Sequence, residues 1–152
     1  MQIDVRRQIP PPVREVARRV ASSGGKALLV GGSVIDLIQG REPKDFDLEV
    51  FGKSYSDLET LYTDMGPKTV GASFGILKIF PEGLDVDLNI PRTDNKVGVG
   101  HSDFEVVVDP NMSVREAARR RDFTINTLAV DVVTGELHDE WGGLADLHNG
   151  IL

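Results

Sequence analysis

Two short stretches of this chain admit one kind of backbone. "DFDLEVF" at 45–51 and "LDVDLNI" at 84–90 alternate strictly. Phe46, Leu48 and Val50 stand against Asp45, Asp47 and Glu49. Leu84, Val86, Leu88 and Ile90 stand against Asp85, Asp87 and Asn89. A period of two belongs to a strand with one face on a core and the other toward water. Each strand therefore carries a pair of aspartates on its polar face. If the strands are neighbours, four or five carboxylates crowd together, and like charges across a sheet destabilise it. Either the acidic faces are spread apart and solvated, or a divalent cation holds them. Mg²⁺ suits such a place, because it takes one or two carboxylates together with waters and substrate phosphates.

The rest of the chain surrounds these strands with helices. Val13, Val16, Ala17, Val20 and Ala21 recur at helical spacing after the prolines at 10–12, and Gly24-Gly25 ends the helix. "KALLV" at 26–30 reads as a short buried strand, Gly31-Gly32 as a turn, and "SVIDLIQ" as a helix stopping at Gly40. Residues 54–65 form a helix closed by Gly66. "KTVGASFGILKIF" is a strand interrupted near Gly71–Gly75, and the glycine-rich segment 91–104 is a mobile loop. Ser113 and Glu116 make a capping box for a helix over "VREAARR". "FTINTLA" is a second helical piece, and "LAVDVVTGELHDEW" a hairpin turning at Thr134-Gly135. At 152 residues, with no repeats or linker, one mixed α and β domain is expected.

Composition excludes some chemistries. The chain has no cysteine, so disulfides and thiolate metal sites are impossible, and its three scattered histidines are surface or core residues. No apolar run reaches the length of a membrane span and the charged start is no signal peptide, so no membrane partner and a cytoplasmic location are expected. A net charge of −7 disfavours broad, non-specific binding of nucleic acid. It leaves room for a local basic site, and "ARRRDFTIN" at 118–126 is the candidate.

Two further features can be read in two ways each. The strand, then Gly31-Gly32-Ser33, then a helix start, is either an ordinary turn or a cradle whose backbone N–H groups face a phosphate. It is no Walker loop, because the lysine-bearing pattern is absent. The arginine run is either the solvated basic end of the capped helix or a set of forks that clamp a triphosphate, with Asp122 accepting from a ribose hydroxyl. A phosphate cradle followed by a carboxylate pair points to metal-dependent phosphoryl or nucleotidyl transfer.

"LLVGGSVIDLIQGREPKDFDLEVFG" followed by "RRDFTINTLAVD" resembles the catalytic head of class II tRNA nucleotidyltransferases. These are the CCA-adding enzymes and their bacterial poly(A) polymerase relatives, within the DNA polymerase β-like superfamily. "VGASFGILKI", "LDVDLNIPR" and "TGELHDEWGGLADLHNGIL" are similar to that head as well, so the resemblance spans roughly residues 24–152. It implies an α/β (α+β) fold: a mixed sheet of four or five strands, with helices packed on one face and the carboxylates on the other, open face.

The resemblance also implies roles. Gly31, Gly32 and Ser33 match the turn that holds the triphosphate, and Asp36 matches the aspartate of the same G-G-x-V-R-D pattern, also at the nucleotide. Asp45 and Asp47 match the D-x-D carboxylates that bind two Mg²⁺ ions. Asp87, five residues before Arg92, matches the third metal-binding carboxylate, near the attacking 3′-hydroxyl. Arg120, Arg121, Asp122 and Asn126 match the motif at the nucleotide's sugar and phosphates, and residues 92–104 match a flexible loop. The implied activity adds CMP and AMP, from CTP and ATP, to an RNA 3′ end, with tRNA the expected acceptor.

There are departures from the family pattern. Ile35 stands where the family has arginine, and Thr127 where it has alanine. The neck with its templating E-D-x-x-R motif, and the body and tail that grip RNA, are expected to be absent from these residues. Two alternatives therefore stay open. One is a nucleotide-binding head that is inactive without missing domains or a second chain supplying RNA binding. The other is nucleotidyl transfer to a protein or small-molecule acceptor.

Overall fold

The computed structural model describes residues 8–96, 104–119 and 128–139, together with positions 143 and 145. Helix α1 (Pro11–Ser22) leads into β1 (Lys26–Val30), α2 (Gly32–Ile38), β2 (Asp45–Phe51) and α3 (Tyr55–Leu61). Strands β3 (Lys68–Gly71), β4 (Ile76–Ile79), β5 (Asp85–Asn89), β6 (Arg92–Lys96) and β7 (Phe104–Val108) follow. Helix α4 (Val114–Arg119) and strands β8 (Ala129–Asp131) and β9 (Leu137–His138) complete the described order.

Seven strands form one sheet in the order β3-β4-β5-β2-β1-β8-β9. It is mixed: β2 and β5 run parallel, while β1 pairs antiparallel with both β2 and β8. The sheet is larger than the expected four or five strands because the β3–β4 and β8–β9 hairpins both join it at its ends. "KTVGASFGILKIF" is not one interrupted strand: the chain turns through residues 72–74 and comes back as β4 antiparallel to β3. At the other end β8 and β9 make the hairpin expected around Thr134-Gly135. The loop read at 91–104 is in part a second, two-stranded sheet, with Arg92 opposite Val108 and Lys96 opposite Phe104. "FTINTLA" lies almost wholly outside the described residues, and Ala129 at its end is in strand.

Alternation sorts the sheet into two faces. Phe46, Leu48 and Val50 of β2, Val86 and Leu88 of β5, and Leu77 and Ile79 of β4 are each buried to 2% exposure or less. They form one core with Val13, Val16, Ala17 and Val20 of α1, Val34 and Leu37 of α2, and Leu58 of α3. Burying so many aliphatic side chains, each contributing about 1.5–3 kcal/mol, is what orders these short elements. Helix α1 is also tied through Arg19, whose guanidinium forks onto Asp64 at 2.7 and 2.9 Å, and through Tyr62, whose buried hydroxyl donates to Val16 O.

The opposite face is not fully open. Leu28 and Val30 point that way from β1 and pack with Phe51, Ala129, Met112 and Ala117 in a smaller cluster. Helix α4 thus covers the β1/β8 end of the face, capped by Ser113 Oγ, which accepts from Glu116 N at 3.1 Å. The single-sided helical layer expected from sequence holds for α1 to α3 and not for α4. Its Ala117 and Ala118 are the buried pair that a charged hexapeptide, "VREAAR", conceals.

Candidate active site

The part of that second face that the described residues leave uncovered belongs to β2, β5 and β4. In the parallel register of β2 and β5, Asp45 stands beside Asp85 and Asp47 beside Asp87. The two acidic strands are therefore immediate neighbours, and the crowding considered from sequence is real. Asp45 is exposed, while Asp47, Asp85 and Asp87 are partly buried. Burial, and next the charges of Asp87, Asp45 and Asp85, push the Asp47 carboxyl above the usual carboxylate range, with Lys78 opposing them.

Lys78 was not singled out by the sequence. It sits on β4 directly across from Asp87. Its ammonium donates to Asp85 Oδ1 at 2.7 Å and lies 3.0 Å from Asp87 Oδ1. The hydrogen bond to Asp85 and then the proximity of Asp87 hold the lysine well above its ordinary pKa. The second approach is an ion pair out of hydrogen-bond alignment, and Asp87 Oδ1 is buried with no hydrogen-bond partner among the described residues. Alternation in "ILKI" gives Lys78 a polar face, but only the antiparallel register sets it against Asp87.

The glycine turn borders the same carboxylates. Gly31 adopts φ 73° and ψ −150°, a conformation open in practice to glycine alone, as the N-cap of α2. A Cβ there would stand 3.8 Å from Asp47 Oδ2, so the turn backbone lies against that side chain. The Ser33 hydroxyl points back and donates to Val30 O at 3.0 Å, bracing the strand-to-helix corner. Asp36 is one turn further along α2 and pairs with Arg41 at 3.2 Å. The structure thus brings Gly31, Asp45, Asp47 and Asp87 together. Arg120, Arg121, Asp122 and Asn126 lie outside the described residues.

Among the described residues no three carboxylate or imidazole side chains are gathered closely enough to form a metal set. The donors nonetheless fit a hard cation. Oxygen is their only ligand chemistry, Asp47 is raised by burial and by its acidic neighbours, and Asp87 offers a buried oxygen with no hydrogen bond among the described residues. A divalent ion between them would relieve the repulsion that Lys78 relieves in part.

Residues 27–152 match the family described as the Poly A polymerase head domain. The chain belongs to that family. It is 36% identical to the Multifunctional CCA protein of Xanthomonas campestris pv. campestris over 127 residues, which are 84% of this chain and 30% of that protein. The solved Thermotoga maritima CCA-adding enzyme complexed with tRNA superimposes with a TM-score of 0.70 at 26% identity, covering 99% of this chain and 36% of that one. A tRNA nucleotidyltransferase complexed with a primer tRNA and an incoming ATP analog gives 0.65 at 29% identity, over 88% and 36%. The chain spans about a third of the length of these relatives. The head-domain fold implied by the sequence resemblance is thereby borne out. Among the described residues no helix is long and apolar enough to cross a membrane.

Proposed function

We propose that this chain is the catalytic head of a metal-dependent nucleotidyltransferase that adds CMP and AMP, from CTP and ATP, to an RNA 3′ end, with tRNA as acceptor. The observation that carries this reading is the register of β2 with β5, which sets Asp47 beside Asp87 and against the Gly31 turn. The relatives support it through what they carry: one was solved with tRNA, another with a primer tRNA and an incoming ATP analog.

Asp45, Asp47 and Asp87 would hold two Mg²⁺ ions. When bound, these ions supply Lewis acidity to the phosphates and lower the pKa of the attacking hydroxyl. The backbone of Gly31, Gly32 and Ser33 receives the triphosphate, its conformation held by the Ser33–Val30 bond. Arg120 and Arg121 pair with phosphate oxygens, while Asp36, Asp122 and Asn126 complete the nucleotide contacts. The RNA 3′-oxygen attacks the α-phosphorus in line and a new P–O bond forms as the α–β bond breaks. Pyrophosphate leaves, and Asp87 takes the hydroxyl proton. Ile35 removes one cation from the nucleotide's surroundings, so weaker triphosphate binding follows. The protein works in the cytoplasm, with other domains or a second chain supplying most of the grip on RNA.

One gel tests the reading. The protein is incubated with Mg²⁺, each α-labelled NTP in turn, and tRNA ending before, within and after CCA. Label from CTP or ATP on tRNA is expected. Label on the protein itself would move the acceptor from RNA to protein. No label anywhere, with nucleotide binding intact, would leave a binding head that depends on other domains for transfer.

A further inference from the structure

Lys78 is the feature of the site that the proposed mechanism does not use. It is 29% exposed at the side chain, and its ammonium stands between two aspartates of one strand face. It treats them unequally. Asp85 receives an aligned hydrogen bond at 2.7 Å, whereas Asp87 is met at 3.0 Å out of alignment and keeps a buried oxygen with no hydrogen bond among the described residues. Asp87 is therefore the more loosely held of the two. It is also the one set beside Asp47, while Asp85 stands beside the exposed Asp45.

We propose that Lys78 and Asp85 together set how far Asp87 is available to a cation. The ammonium competes with the metal for Asp87, and Asp85 competes with Asp87 for the ammonium. Without nucleotide the protein then offers chiefly Asp45 and Asp47, a weak site suited to a cation that arrives with triphosphate oxygens already on it. Asp87 joins when Lys78 turns wholly to Asp85. Lys78 is thus a positioning residue acting through Asp87. This inference rests on the cation site proposed above and adds its control.

The test is a titration of the full chain with Mn²⁺ alone, reading free Mn²⁺ by electron paramagnetic resonance without nucleotide. Lys78→Met should tighten binding about tenfold, because Asp87 is freed. Asp85→Asn should loosen it by about as much, because Lys78 then belongs to Asp87 alone, and Lys78→Arg should stay near wild type. The double variant Lys78→Met/Asp85→Asn decides between a relay and a general effect of charge. If Asp85 acts through Lys78, its substitution changes nothing further once the lysine is gone. Additive effects, or a Lys78→Met protein that binds no tighter than wild type, would overturn the inference. Thermal melts of each variant check that folding is retained. Wild-type protein whose Mn²⁺ binding is unaffected by Asp45→Ala/Asp47→Ala would overturn the cation site itself, and this inference with it.

Discussion

Asp47 has Asp45 two residues before it on its own strand, Asp87 beside it on β5, and the backbone of Gly31 against its oxygen. Its carboxyl is raised by burial and by its acidic neighbours. A carboxyl raised on folding holds more proton in the folded chain than in the unfolded one. Between the ordinary carboxylate range and the raised value, stability therefore falls as pH rises. With divalent cations chelated, thermal melts across that window should show this fall. Asp47→Asn should flatten it and melt higher near neutrality by about 2–4 °C, the scale of 1 kcal/mol in a chain of this size. A variant that melts lower, with an unchanged pH slope, would contradict the repulsion. This tension was half legible in the sequence. Alternation gave each aspartate its face, and the D-x-D spacing suggested a cation. The neutralising partner was not visible, because Lys78 reaches Asp87 through a strand pairing that no local pattern encodes.

Among the elements, those carried by a clear period or a clear stop were read from the sequence. The apolar stripe of α1, the glycine-bounded β1, the alternating β2 and β5 and the β8–β9 hairpin all appear where the residues put them. The β3–β4 reversal was not read, because its turn is built from long-range packing. Gly75 sits at φ 73°, and a Cβ there would come within 3.1 Å of Val108 and 3.3 Å of Ile90. That close approach packs the turn before β4 against Val108, at the end of the β6–β7 ribbon that the polar sequence at 91–104 disguised as a loop. Gly75→Ala should cost about 1–3 kcal/mol, from left-handed strain and the displaced Val108, and denaturant unfolding would measure it. An unchanged midpoint would show that the ribbon yields freely. Leu48→Ala, in the centre of the core and fully buried, should cost about 2–5 kcal/mol by the same measurement.

The whole chain combines a net charge of −7 with an arginine run at 119–121 in its sequence. If the chain acts on an RNA 3′ end as proposed, this charge balance favours contact at that end rather than along the RNA. The affinity of this chain for tRNA should be weak, with a slope of log K against log salt of about −2 or shallower. Anisotropy measured over a salt series would check it, and a slope of about −6 or steeper, on the order of six or more phosphate contacts, would reveal a broad basic surface on the chain. In the proposed reaction the carboxylates paired across β2 and β5 carry the chemistry. Its most direct test is the single-turnover rate of CMP transfer to tRNA lacking CCA, measured for Asp45→Asn, Asp47→Asn and Asp87→Asn over a Mg²⁺ series. Each variant should fold and lose on the order of a thousandfold in rate, about 4 kcal/mol of transition-state stabilisation. Folded variants that transfer CMP at the wild-type rate would contradict it.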